Sequence, residues 1–235
     1  KYINYLFRRG AKIFYLMVYN SRLGLLSEKE ILDLHSFCIN EIKRLDNKNI
    51  VMAAVQQDGM ALRFASDELK ADREVVLAAV TNQGYALKYA SDELKADRDV
   101  VLAAVTKSGY ALQYASADFK KDKEVVLAAV TENGRALYYA SDAFREDKDV
   151  VLAAVTSKGR ALQCASDKLR ANKEVALAAI ASNGRALAYA SDELKADRDV
   201  VLAAIANNCY ALQYASDELR ADKDVVLTAV TKIGY

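Results

Sequence analysis

Apolar and polar positions repeat with a fixed period along most of this chain. Each unit holds an acidic or amide residue, then a run such as VVLAAV, then a glycine, and then a second stretch in which leucine and alanine lie three and four positions apart. A constant period of 25 residues predicts stacked tandem repeats that contact mainly their neighbours. The period is marked by Gly59, Gly84, Gly109, Gly134, Gly159, Gly184 and Gly234, with Cys209 in the remaining slot.

The apolar run predicts an α-helix, here called helix A, over roughly residues 73–83 of the clearest unit. Its apolar side chains cover most of the helix circumference, which indicates burial on nearly all sides. Asp72 is the expected N-cap, and Gly84 is expected to end the helix in a left-handed conformation. Other units have the same kind of cap at Asn47, Asp97, Asp122, Asp147, Asn172, Asp197 and Asp222.

The second stretch, residues 85–96, predicts a helix B that packs through Leu87 and Leu94. Ser91, followed by two acidic residues, is typical of an N-cap, so helix B is expected to break there. A strand interpretation of VVLAAV is disfavoured, because alanine pairs suit helices better. The predicted fold is all-α, an α-solenoid of 25-residue two-helix repeats, with seven full units and one partial unit in residues 47–235.

Residues 1–46 lie outside the pattern and predict a helical amino-terminal segment. Ser27 and Glu30 form a capping box at the start of an amphipathic helix, and the simplest interpretation is a cap that shields the first repeat. Residues 1–20 mix aromatic residues with cations. The alternative is an interfacial helix that contacts a membrane or docks a partner.

The amino-acid composition narrows the classes of function that fit this chain. The absence of proline fits an all-helical chain. The net charge of +1 does not suggest a dedicated nucleic-acid-binding protein. Cys38, Cys164 and Cys209 fit neither a metal motif nor a disulfide framework, which favours a reducing compartment, the cytoplasm of its own or of a host cell.

The chain lacks an initial Met and stops within a unit, so we expect a piece of a longer protein. The last helix A is expected to leave an apolar face for further repeats, a cap or a partner.

The repeated text resembles a known family. The pattern D-[KR]-[ED]-V-V-L-A-A-V-x-x-x-G-x-A-L-x-Y-A-S-x-x-L-[KR] is similar to the tandem repeats called domain of unknown function 4116, from about Asn47 to Tyr235. The resemblance implies short helical repeats, such as those of intracellular bacteria and protists. It implies no catalytic activity and no cofactor.

The residues themselves predict neither an enzyme, a metal site, a cofactor nor a small-molecule substrate. A tandem repeat places the same chemical group at regular spacing, whereas a catalytic site needs different chemical groups close together. His35 is the only histidine and is expected to pack beside the apolar stripe of its helix. Each glycine is single and follows a helix, so no phosphate-binding loop is indicated.

The positions that bear on function are those at which the residue type varies while the rest of the repeat stays constant. The slot after the glycine and the slot three residues later share a face, and Tyr and Arg are enriched at binding hot spots. The alternative is an ordinary solvated surface. A third slot, occupied by Tyr in most units but by Cys164 in one, predicts stacking between repeats. The candidate partner-binding residues are Tyr85, Tyr110, Arg135, Arg160, Arg185 and Tyr210 in the first slot, and Lys88, Gln113 and Tyr138 in the second.

These observations predict a non-enzymatic repeat scaffold that mediates protein–protein interaction or displays other parts of its chain. The alternative is a spacer within a larger effector or enzyme whose active domain lies elsewhere. Binding of single-stranded nucleic acid through Tyr and Arg is disfavoured by the nearly neutral charge. The sequence does not identify the partner.

Overall fold

The computed structural model describes residues 48–233, in which all regular structure is helical and no strand occurs. The predicted all-α repeat fold is confirmed. The chain divides into two compact units. Unit 1 contains the described residues up to Lys107 and also Tyr114–Ser116, and unit 2 contains Ser108–Gln113 and the residues from Ala117 onward.

Helix A is present in every repeat of the described range. In the clearest unit it spans Arg73–Asn82, close to the predicted 73–83. Consecutive A helices contact one another within each unit, as stacked repeats require. The eight A helices of the described residues are α1 Lys48–Gln57, α2 Arg73–Asn82, α3 Arg98–Lys107, α4 Lys123–Glu132, α5 Lys148–Ser157, α6 Lys173–Ser182, α7 Arg198–Asn207 and α8 Lys223–Ile233.

The predicted N-caps are confirmed wherever the structure describes them. The Asp72 carboxylate accepts from the backbone N–H groups of Glu74 and Val75, at 3.0 and 3.2 Å. Asn172 does the same for the N–H of Val175 at 3.1 Å. These bonds satisfy donors that the first turn of a helix leaves unpaired.

The second half of each repeat contains two short helices, divided where the Ser91 prediction placed the break. The first piece is a 3-10 helix, Gly84–Tyr89 in the clearest unit, and extended backbone at Ala90 ends it. The second piece follows the serine and is either α or 3-10. The 3-10 helices are Gly59–Phe64, Gly84–Tyr89, Gly109–Tyr114, Gly134–Tyr139, Gly159–Cys164, Gly184–Tyr189 and Cys209–Tyr214, and the short pieces are Asp67–Lys70, Leu94–Ala96, Phe119–Lys121, Asp142–Arg145, Asp167–Arg170, Asp192–Lys195 and Asp217–Ala221.

The predicted left-handed glycine is wrong. The helix ends at an extended residue such as Gln83, whose N–H donates to the Ala79 carbonyl, and Gly84 then begins the 3-10 helix. None of Gly59, Gly109, Gly134, Gly159 and Gly184 has a left-handed φ. Cys209 likewise opens the 3-10 helix Cys209–Tyr214. A Cys209→Gly change would therefore relieve no left-handed strain.

The glycines instead allow consecutive repeats to approach closely. A Cβ atom at Gly184 would lie 2.5 Å from the carbonyl oxygen of Ala204 in the following A helix, a distance that real Cβ atoms do not show. The Gly184 N–H donates across the same contact to Asn207 Oδ1 at 2.7 Å. Close backbone approach is a second reason why a position needs glycine.

The core of each unit consists of the inward residues of the A helices and the Ala and Leu of the 3-10 helices. Val150, Val151, Ala154 and Val155 of α5, for example, are fully buried. The last described helix differs: Leu227 and Val230 of α8 are 50% and 54% exposed. The exposed apolar face predicted for this helix is therefore present.

Some sequence predictions lie outside the described residues. These are the amino-terminal segment 1–46 with its capped helix, the contact of residues 1–20 with a membrane or partner, the roles of His35 and Cys38, and the cap at Asn47. Within residues 48–233, no helix is both long and apolar enough to cross a bilayer.

Candidate interaction surface

The slot after the glycine is the second residue of each 3-10 helix. In unit 2 it holds one half-buried side chain, Tyr110, and four exposed ones, Arg135, Arg160, Arg185 and Tyr210. The Tyr210 side chain is 59% exposed. The 3-10 helices of successive repeats contact one another from Gly134–Tyr139 to Cys209–Tyr214. The exposed side chains therefore form a row, with one residue per repeat.

The slot three residues later lies one 3-10 turn further along and shares this surface. Tyr138 is 65% exposed, whereas Gln113 is half-buried and donates its Nε2–H to the Tyr110 carbonyl at 3.1 Å. In unit 1 the corresponding candidates, Tyr85 and Lys88, are both exposed. The Lys88 ammonium lies 5.7 Å from the centre of its neighbouring ring, Tyr89.

Two tyrosines in the slot after the glycine contact the tyrosine column, the third slot of the sequence pattern. In unit 1 the rings of Tyr85 and Tyr114 meet edge to face at 6.4 Å, and in unit 2 those of Tyr110 and Tyr139 do so at 6.1 Å. The predicted stacking between repeats is therefore present at these positions. Residues after the glycine thus have a structural contact as well as an exposed part.

Two of the arginines contact a tyrosine of the next repeat. Arg160 donates a guanidinium N–H to the hydroxyl oxygen of Tyr189 at 3.1 Å, and the Arg185 guanidinium lies 5.8 Å from the centre of the Tyr210 ring. Within the described residues no carboxylate pairs with Arg135, Arg160 or Arg185. The row therefore presents three cations whose charges are not neutralised locally.

A groove that the sequence did not predict lies between two consecutive repeats of unit 2. It has a volume of about 730 Å³, and Cys164, the residue that replaces tyrosine, is part of its wall. The break in the tyrosine column was visible in the sequence, but the role of Arg145 was not, because other units have Lys or Arg at that slot. The full lining is Tyr138, Asp142, Arg145, Glu146, Gln163, Cys164, Ala165, Ser166 and Asp167.

The Cys164 thiol is poorly suited to nucleophilic chemistry. Burial raises its pKa above the ordinary 9.0, while the guanidinium groups of Arg145 and Arg135 act in the opposite direction. The side chain is therefore a neutral thiol at pH 7, and a thiol is far less nucleophilic than a thiolate. In the described part of the chain, no group of three His, Cys, Asp or Glu residues is placed to hold a metal ion.

Comparison with known proteins identifies the repeat. A family model described as a domain of unknown function (DUF4116) matches residues 47–95, 97–145, 147–195 and 197–235. The chain belongs to this family. A DUF4116 repeat is about 49 residues long, which differs from the predicted 25. Each full match spans nearly two consecutive 25-residue units. No curated protein and no solved structure matches this DUF4116 chain.

Proposed function

We propose that this DUF4116 array is a non-enzymatic scaffold that binds a protein partner through unit 2. The binding surface is the Tyr/Arg row, which we define as Arg135, Tyr138, Arg160, Arg185 and Tyr210. The observation that carries the proposal is the set of three exposed arginines without carboxylate partners, one per repeat, together with the largely exposed Tyr138 and Tyr210. Its free cysteines, Cys164 and Cys209, favour action in a reducing compartment.

The row has the chemistry of a protein-binding surface. Tyr and Arg combine large apolar area with hydrogen-bonding groups and account for many interface hot spots. The Arg160 guanidinium is already held by Tyr189, so less conformational entropy is lost when it binds. Because the arginines recur once per repeat, the best-matched partner is an extended segment with several acidic residues, each able to form a charge-assisted hydrogen bond.

The proposal of a non-enzymatic role rests on the repetition itself. A site that performs chemistry brings together an acid, a base or a nucleophile of different kinds, whereas the row repeats arginine and tyrosine. The near-neutral net charge of +1 also makes a nucleic acid a poor partner compared with an acidic protein segment.

The test removes the three arginines together. The partner is first identified by cross-linking in cells of the source and is then titrated with the purified chain. Arg135→Ala, Arg160→Ala and Arg185→Ala in one variant should raise the dissociation constant by about tenfold or more. Each exposed substitution should alter stability by less than about 0.5 kcal/mol.

A matched control separates the row from net charge. Lys121→Ala, Lys158→Ala and Lys168→Ala remove the same charge from exposed positions of unit 2 outside the row. This control should bind the partner like the wild type. Equal losses in both triple variants would reduce the effect to overall charge, and unchanged binding in the arginine variant would contradict the proposed surface.

A further inference from the structure

The arginines of the Tyr/Arg row occupy equivalent positions in three consecutive repeats of unit 2. Arg135, Arg160 and Arg185 each follow the first residue of a 3-10 helix, and each is exposed. The spacing of their positive charges therefore depends on the distance between one repeat and the next. A partner that pairs with all three arginines must place its carboxylates at the same spacing.

The same contacts join these repeats at both boundaries. The N–H of Ser166 donates to the Arg145 carbonyl of the preceding repeat at 2.9 Å. The N–H of Ser191 donates to the Arg170 carbonyl at 3.1 Å in the same way. The 3-10 helices of the three repeats also contact one another in sequence. Equivalent contacts give the two steps a similar length, and the axes of packed helices lie about 8–10 Å apart.

Two of the guanidinium groups reach in the same direction, towards the following repeat. Arg160 donates to the Tyr189 hydroxyl at 3.1 Å, and the Arg185 guanidinium lies 5.8 Å from the centre of the Tyr210 ring. Each tyrosine belongs to the repeat that follows its arginine. Because both side chains lean the same way, the distance between their charges stays close to the repeat spacing.

An extended segment matches this spacing with every third residue. In a polyproline II helix, residues three apart lie on the same side and about 9 Å apart. In a β-strand, residues two apart share a face but are only about 7 Å apart, and residues four apart are about 13 Å apart. The polyproline II conformation therefore brings a side chain to each successive arginine without distortion.

We propose that the Tyr/Arg row binds a partner segment in the polyproline II conformation whose residues i, i+3 and i+6 are acidic. Each carboxylate pairs with one of Arg135, Arg160 and Arg185. This inference rests on the proposed function, because it specifies the partner of the same row. The two residues between successive acids face away from the row, so proline fits there and reduces the conformational entropy lost on binding.

The test compares three synthetic peptides of equal length and composition. Each carries a fluorescent label and three glutamates among prolines and alanines, with a glutamate at every second, every third or every fourth residue. In anisotropy titrations with the full chain at low ionic strength, the every-third peptide should bind about fivefold or more tightly than the others, the scale of one exposed ion pair. Equal affinities, another preferred spacing, or no binding at about 1 mM would overturn the proposal.

Paired substitutions check the register of the every-third peptide. Arg160→Ala in the protein and glutamine at the central glutamate of the peptide remove the same ion pair, so together they should cost little more than either does alone. When glutamine replaces the first or the last glutamate instead, the two losses should add. Additive losses at the central position would overturn the one-to-one register.

The two triple variants separate this inference from the proposed function. The arginine variant should lose the preference for every-third spacing, and the lysine control should keep it. If the arginine variant loses the native partner while the wild type does not distinguish the peptides, the spacing rule is wrong and the scaffold surface is retained. If the wild type distinguishes the peptides but the arginine variant keeps the native partner, the proposed function is wrong. The peptide comparison uses the wild type and so does not depend on the folding of any variant.

Discussion

At the scale of residues, the glycine column shows how one pattern can have two physical explanations. A glycine after a helix is typical of a left-handed C-cap, and that explanation is wrong here. Gly159 contacts the next repeat, donating to Ser182 Oγ at 3.1 Å. Its missing side chain leaves room for the Ala179 carbonyl. The residue type is required by the neighbouring repeat and not by its own backbone.

Gly159→Ala should therefore destabilise the protein by about 1–3 kcal/mol, the usual range for overpacking. The new Cβ would collide with the Ala179 carbonyl oxygen, a backbone atom that moves only with its helix. Chemical denaturation measures the loss. Cys209→Ala is the control, because Cys209 already has a Cβ in the same column, and it should alter stability less. A Gly159→Ala protein as stable as the wild type would show that the repeats can separate freely.

At the scale of elements, the same helix A sequence has different burial at different places in the array. Val155 of α5 is fully buried, whereas Val230, at the same slot of α8, is 54% exposed. Helix α5 contacts α6 of the next repeat within unit 2, and no described helix follows α8. The contribution of a side chain thus depends on the neighbouring repeats as well as on its own helix.

Val155→Ala should lower the free energy of unfolding by about 1.5–3 kcal/mol, the value of fully burying such a side chain. Val230→Ala should change it by less than about 0.5 kcal/mol, because the side chain is largely exposed. Both changes remove the same atoms from the same slot of a helix, so urea denaturation of the two variants isolates burial. Equal losses would mean that the face of α8 is covered in solution.

At the scale of the whole molecule, each unit contains ion pairs that link one A helix to the next. In unit 1 Arg73 reaches Asp97 at 2.9 Å, and in unit 2 Lys123 reaches Asp147 at 2.7 Å. The acceptor is the N-cap aspartate of the following helix, so one carboxylate both caps a helix and pairs with the preceding repeat. Hydrogen bonds from these cations are the main reason why the pKa of both carboxyl groups is lowered.

Acid should therefore destabilise the protein through the cap aspartates. Asp72, Asp97, Asp147 and Asp197 have a folded-state pKa below the ordinary 3.8, owing first to the cation of the preceding repeat. Their contribution is fully present above the ordinary pKa and is lost as the pH falls through the folded pKa. Denaturation at pH 6 and pH 3 should show lower stability at pH 3, and 1 M salt should reduce the difference.

The chain offers its own control for this effect. Asn172 occupies the same cap slot without a charge, and it still accepts from Val175. Asp147→Asn should accordingly keep the cap and reduce the difference between pH 6 and pH 3. An unchanged difference in this variant would assign the acid sensitivity to other groups.

The sequence by itself determined the tandem repeats, the A helices, their N-caps and the break before Ser91. These features depend on contacts within one unit or on a pattern that every unit shares, so local rules were sufficient. Most candidate residues of the Tyr/Arg row were also predicted, because variable positions stand out against a constant frame.

Only the tertiary structure decided what lies between repeats. It showed that the glycines are needed for close backbone approach and not for a left-handed conformation. It also showed that Arg160 donates a hydrogen bond to Tyr189, a residue far along the chain. It also showed that Cys164 leaves a groove and that Arg145 beside it has a donor without a partner. The physical reason is that such contacts depend on the distance between stacked backbones, which the pattern of a single repeat does not contain.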